Sequence, residues 1–325
     1  MVCFTTQANG AEYSGIQVTP EMLDPVVTEP IPIDITTDEF DARLKEGGSI
    51  VLNGNDLVVG PLSYNERGLV FLALDRVELR DGARIITNGN DLVIFANTLV
   101  SENGGVVSFV EGNTKAPSGP DASSLGEDGL DGTDGLSSGA VSIFALNGIE
   151  GVLNVTLNGQ NGGNGGDGAQ GRQGRKGSRG QDAKNGHIPG DCARGGGNGQ
   201  RGGKGYEGGS AGSAGSGGDG GFFQLVNVGA QPIPTASYTF KADGGLPGAV
   251  GNPGPGGRGG DGGDGGRGST WCSGGSGGPR GPSGREGGTP NPSSAGIAGN
   301  SSVRNLDMEV LIRTAIAVQS SAGEE

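Results

Sequence analysis

Few residues in this chain could do chemistry. There is one histidine in 325 residues. His187 lies in the turn-rich stretch Asn185-Gly186-His187-Ile188-Pro189-Gly190, where a lone imidazole reads as a solvent-facing side chain rather than a general base. No serine, histidine and carboxylate set assembles around it. Paired carboxylates on a β scaffold could cleave a polysaccharide, and Asp56 and Asp91 hold matching places in the repeated hexapeptide Asn-Gly-Asn-Asp-Leu-Val. Turn formation by Asn-Asp accounts for both more simply. Three windows, ending at Asp167, Asp261 and Asp264, open like the Gly-Gly-x-Gly-x-Asp calcium repeat. They lack its large apolar residue and its nine-residue period. Zinc-ligand spacing is missing, and the many Gly-x-Gly-x-x-Gly matches follow from composition without the strand and helix a dinucleotide site needs. The expectation is a protein that is not an enzyme and uses no metal or cofactor.

The elements that must position these residues are set by glycine, 73 of the 325 residues. Glycine recurs at every third position over 159–186, with Ala183 the one exception, and over 196–221, 245–266 and 275–287, the second run slipping by one residue at Gly208-Gly209. A period of three fits neither an α-helix nor a strand. It fits polyproline-II or polyglycine-II geometry, with three residues per turn. One edge of each such helix is bare backbone that another backbone can approach. Proline is sparse in these runs, and 159–186 has none, which favours a bundle within one chain over a collagen triple helix.

Apolar segments separate the runs. Ser142–Leu146, Val152–Leu157, Phe222–Val228 and Ser237–Ala242 read as strands, so each pair of glycine runs is an out-and-back excursion from a β base. Cys192 falls between the two arms of the first excursion and Cys272 between those of the second. A Cys192–Cys272 disulfide across the two far tips is therefore expected, two free thiols being the alternative; Cys3 is left over. His187, Arg194, Tyr206, Arg267 and Trp271 lie at or near the tips and arm surfaces. Aromatic and arginine groups there are candidate contacts for a surface glycan or a cell-surface receptor.

The remaining organisation follows. Residues 1–47 read as an extended acidic, Pro-rich arm and a short helix, Asp38–Lys45. Residues 48–112 read as a small β-solenoid, with a sandwich as the alternative, and 113–139 as a glycine-rich linker. Residues 140–300 hold the β base and arms, and 301–325 a long C-terminal strand and tail. Leu306–Val318 alternates with period two, which puts Met308, Val310, Ile312, Ile316 and Val318 on one face as candidate assembly contacts. The fold class expected is thus mostly β plus polyproline/polyglycine-II, with almost no α-helix. Residues 1–135 carry 22 acidic and 7 basic side chains, −15, and the remainder 14 and 15, +1. That balance argues against nucleic acid as a partner, and Arg172, Arg175, Lys176 and Arg179 read as solvated side chains. No segment has the ~20 apolar residues of a membrane span.

In its glycine period, 159–287 resembles the receptor-binding adhesins at the fibre tips of T-even-type phages and the glycine-rich antifreeze protein of snow fleas. The stretch Asp191-Cys192-Ala193-Arg194-Gly195-Gly196-Gly197-Asn198-Gly199 is similar to glycine-rich, collagen-like bacterial surface proteins. The sequence-based expectation is an extracellular structural protein that assembles head-to-tail with itself, into fibres or a surface layer, by strand exchange through its termini. A phage fibre-tip adhesin, which would sit on the virion surface, is the first alternative and an ice-binding protein the second.

Overall fold

The structure is a computed structural model and describes residues 2–4, 37–228 and 237–307 together with Val310, Ile312 and Arg313. Apart from Val2–Phe4, the expected N-terminal arm lies outside the described residues. Elements run in the order β1 (Val2–Phe4), α1 (Thr37–Glu46), β2 (Ser49–Asn53), β3 (Asp56–Val58), β4 (Leu69–Arg80), β5 (Arg84–Ile86), β6 (Asp91–Ser101), β7 (Gly105–Val107), β8 (Val141–Ala145), β9 (Ile149–Gly151), β10 (Leu153–Thr156), β11 (Lys184–Asn185), β12 (Cys192–Arg194), β13 (Phe222–Val228), β14 (Tyr238–Lys241) and β15 (Asn300–Leu306).

All strand pairs except β11 with β12 are parallel. One sheet is ordered β1-β4-β6-β8-β13-β15, with β2 added to β4 and β9 to β6; the other is β14-β10-β7-β5-β3. Because the chain alternates between the sheets and each strand pairs with its counterpart in the next turn of chain, it winds as a coil. A sandwich, whose sheets are antiparallel, is excluded. Alternation decides the faces. Leu72, Ile94, Ile143 and Leu225 stack in register, as do Leu57, Ile85, Val106 and Val155 on the facing sheet. All eight are buried inside the coil. The outer face of the first sheet is apolar too. Phe71, Phe95 and Phe144 pack along it, with ring centroids 5.3 and 4.3 Å apart, and Leu44 of α1 and Ile312 join the same buried cluster.

The duplicated Asn-Gly-Asn-Asp-Leu-Val does not mark equivalent places: Asp56 heads β3 in one sheet and Asp91 heads β6 in the other. Asp56 binds Arg84 across the ladder at 2.5 Å, whereas Asp91 accepts the Ala140 N–H at 2.7 Å. The long C-terminal strand is also displaced. The strand is β15, ending at Leu306, and Val310, Ile312 and Arg313 are helical. Asp307 turns the chain by accepting the Val310 N–H at 2.8 Å, as an N-cap aspartate does. Ile312 is buried against the sheet and Val310 is 42% exposed, so they do not share a strand face. Met308, Ile316 and Val318 lie outside the described residues.

The glycine segments leave the coil between its two sheets: 113–139 between β7 and β8, 158–221 between β10 and β13, and 243–299 between β14 and β15. Residues 113–139, expected as a linker, form an out-and-back pair of arms of their own. Gly119 donates to Asn164 O at 2.7 Å, and Gly129, Gly132 and Gly135 donate to the carbonyls of Ser210, Ser213 and Ser216.

Candidate functional site: the tip and flank of the glycine bundle

The six arms hydrogen-bond at every third residue. Gly162, Gly165 and Gly168 donate to the carbonyls of Leu246, Ala249 and Asn252 at 2.9 Å. Gly199 and Gly202 reach Ser276 and Pro279 in the same way. Arms running outward (114–125, 158–183, 243–267) therefore lie side by side in one layer. Those running back (127–138, 196–221, 273–299) form a second layer, and bonds such as Gly212 N–H to Gly166 O and Gly251 N–H to Gly212 O join the two. The coil's registers continue into the arms. Phe222 opposes Asn300 in the sheet, and Asp219 opposes Ile297 in the arms, both 78 residues apart. Thr156 opposes Lys241, and Asn158 opposes Asp243, both 85 apart.

Each triplet position has its own task. The first faces the interlayer seam and is glycine or alanine throughout the two central arms, 158–183 and 196–221. The second is glycine or alanine wherever a third arm leans on it: Gly163 abuts Pro117, and Gly212 abuts Leu130. The apparent slip at Gly208-Gly209 is not a slip. Triplets continue through it, and Ala211 and Ala214 occupy the first position, buried. At the third position, on the outer faces, the N–H would go unbonded. Side chains of the neighbouring arm accept it instead: Asn158, Asn161, Asn164 and Asp167 take the N–H groups of Asp243, Leu246, Ala249 and Asn252 at 2.7–3.0 Å. Asp128, Asp131 and Asp134 do the same for Ser210, Ser213 and Ser216. Asn198 accepts from Ser276, but two triplets further along the same row face Arg201 and Lys204, which cannot accept; there the partner arm carries Pro279 and Pro282, which have no N–H to satisfy.

The aspartates of the calcium-like windows are engaged by protein partners. Asp167 accepts the Asn252 N–H and amide, which holds its carboxyl below the usual carboxylate range, the backbone N–H contributing most. Asp264 pairs with Lys176 at 2.8 Å; the pairing lowers the acid and raises the ammonium. Asp261 pairs with Arg280 at 2.7 Å. Among the described residues, no group of three His, Cys, Asp or Glu could hold a metal ion, and no helix is long and apolar enough to cross a membrane.

At the far end, the antiparallel hairpin β11–β12 closes the first long excursion, and Cys192 is joined to Cys272 by a disulfide with Cα atoms 5.2 Å apart. Asn185 accepts from the Ser269 hydroxyl and from the Trp271 N–H. The structure thus brings His187, Arg194, Arg267 and Trp271 to one tip. Trp271 is 44% exposed and the neighbouring Ile188 69%. Arg194 is partly structural, since it donates to the Gln181 side chain at 2.7 Å and to Asp182 O. Tyr206 does not belong to the tip. It sits midway along its arm, 54% exposed, where its N–H bonds Arg172 O. A cleft of about 460 Å³ lies at the base, between Tyr64 and Arg67 of one loop and Thr133–Ser137 of an arm. Asn88–Asn90 also line it; its parts come from three separate stretches of sequence, and no local pattern signals it.

Comparison with protein-family models, curated proteins and solved structures finds no match to this chain.

Proposed function

We propose that this is an extracellular, non-enzymatic binding protein: a β-solenoid mount, a stalk of six polyglycine-II arms, and a contact surface at the stalk's tip for a cell-surface receptor or glycan. The carrying observation is that two separate excursions, bonded along their length, are tied at their far ends by Cys192–Cys272. Arms of this length reach about 75–80 Å at ~3.1 Å per residue. A disulfide there suits an oxidising compartment, and a rigid stalk presenting Trp271, His187 and Ile188 suits contact at a distance. In the test, the labelled full chain is bound to a panel of bacterial surfaces. Trp271→Ala with Ile188→Ala is expected to weaken the best binding tenfold or more while leaving the melting temperature unchanged. Undiminished binding by that variant contradicts the assignment.

A second reading is a structural subunit that assembles head-to-tail. It is supported by the coil's last strands, since β15 pairs only with β13 and β14 only with β10 among the described residues. An open parallel edge can accept a strand of another copy. Filaments with a regular axial repeat in electron micrographs of the untagged protein would favour it; discrete particles would favour the tip reading.

A further inference from the structure

The bundle is stepped. The shorter arms end at the turn around Leu125 and Gly126, and their last bonds with the 158–183 arm are Ala169 N–H to Glu127 O and Gly126 N–H to Gln170 O. Beyond the step, the seam between the 158–183 and 196–221 arms lies open. The second-position residues change there. Gly163, Gly166 and Ala169 give way to Arg172 and Arg175, and on the facing arm Gly212 and Gly209 give way to Tyr206 and Gln200. Loss of a packing neighbour permits larger side chains but does not call for two arginines beside a tyrosine.

Three observations converge. Tyr206 N–H bonds Arg172 O and Gly203 N–H bonds Arg175 O at 2.9 and 2.8 Å, so tyrosine and both arginines line one seam, with Gly203 leaving the space between them open. All are exposed. The nearby cations Lys176 and Arg179 are held by Asp264 and Asp182; among the described residues, the Arg172 and Arg175 side chains make no hydrogen bond or ion pair. Charge is also divided along the bundle. The outer segments 170–208 and 256–287 carry twelve basic and six acidic residues, +6. The inner segments 113–139, 158–169, 209–221, 243–255 and 288–299 carry one basic and eight acidic, −7. A polyanion is drawn to the outer half and repelled from the base.

We propose that this flank binds an anionic polysaccharide, sulfated or carboxylated, along the seam. The guanidinium groups recur every three residues, about 9 Å, a spacing suited to successive acidic sugars, and they present forked donors to sulfate or carboxylate. Tyr206 offers a ring for the apolar face of a sugar. Single-stranded nucleic acid is the weaker fit, because such grooves stack successive bases on several aromatic rings and this seam has one. The site is lateral and does not depend on the tip.

The test titrates the full disulfide-bonded chain with dextran sulfate, carboxymethyl dextran, neutral dextran and single-stranded RNA at several salt concentrations. Arg172→Gln with Arg175→Gln is expected to weaken dextran sulfate binding about tenfold or more and to reduce the salt slope by about two, near one per lost contact. Arg258→Gln with Arg285→Gln, the same charge change on other faces, should cost less than about twofold. Arg172→Lys with Arg175→Lys should restore the salt slope but only part of the affinity, since lysine keeps the charge and lacks the fork; Tyr206→Ala should lose severalfold, and Trp271→Ala should lose nothing. Equal losses in the two glutamine pairs, equal binding of neutral dextran, or tighter binding of RNA than of dextran sulfate overturns the proposal.

Discussion

Gly163 and Gly277 look alike in the sequence and differ in the fold. A Cβ on Gly163 would collide with the Pro117 carbonyl, which is backbone and cannot step aside, whereas one on Gly277 would lie 3.7 Å from its nearest neighbour, Gly263 O. Gly163→Ala is expected to destabilise by about 3 kcal/mol or more, as overpacking does where backbone must move. Gly277→Ala should be neutral or stabilise by up to about 1 kcal/mol through the unfolded chain; chemical denaturation of both variants checks this. The glycine period was legible in the sequence. The work of the third-position Asn and Asp was not, because each partner lies 78 to 85 residues away. The same residues set a pH response. Asp167, Asp264 and Glu127 have lowered folded pKa values, caused first by the Asn252 N–H, the Lys176 ammonium and the Ser124 N–H respectively. Their stabilisation is present above the unfolded pKa and lost as pH falls through the folded one. Lys176 is raised by Asp264, so its contribution is complete below its unfolded pKa and lost as pH rises through the folded value. Melting temperature should hold through neutral pH and fall below about pH 4. Asp167→Asn, which keeps the acceptor as Asn161 and Asn164 do, should blunt that fall.

At the scale of elements, many outer N–H groups are accepted by a neighbouring side chain, and at 279 and 282 proline removes them. Ala249→Pro should therefore be tolerated: it deletes the donor to Asn164 Oδ1 and its ring turns that outer-face side chain aside, while the Ala249 carbonyl still accepts from Gly165. A change within about 1 kcal/mol is expected. Ala249→Pro with a loss of several kcal/mol would mean that the arm is not in this register. The disulfide closes an 80-residue separation, for which chain entropy gives about 4 kcal/mol. Its reduction should speed amide exchange at the tip and leave β4 and β6 protected. Strands Phe222–Val228 and Ser142–Leu146 were readable because they are short apolar runs between glycine segments. The C-terminal strand was misread because the alternation of 306–318 begins where β15 ends, and within it Ile312 is buried in a helical turn against the outer apolar face.

For the whole molecule, coil and bundle form one ladder. Each inserted pair of arms stacks on the previous one because its parent coil does, and the registers pass unchanged from sheet to arm. The out-and-back topology and the joining of the two tips were readable from cysteine and glycine placement alone. The step in the bundle was not, since 113–139 has too short a glycine run to announce itself as a third pair of arms. The charge asymmetry now has a spatial meaning, with an acidic base and a basic outer half.

The most direct measurement is residue-resolved amide hydrogen exchange on the intact, oxidised chain. The first-position amides of Gly162, Gly165, Gly168, Gly199 and Gly202, each bonded to a named carbonyl, should be protected to a degree approaching that of the coil core. The N–H groups of second-position Arg172 and Arg175, beyond the step, should exchange quickly. Uniformly fast exchange along 159–287 would contradict a hydrogen-bonded bundle and, with it, the stalk on which the proposed function stands.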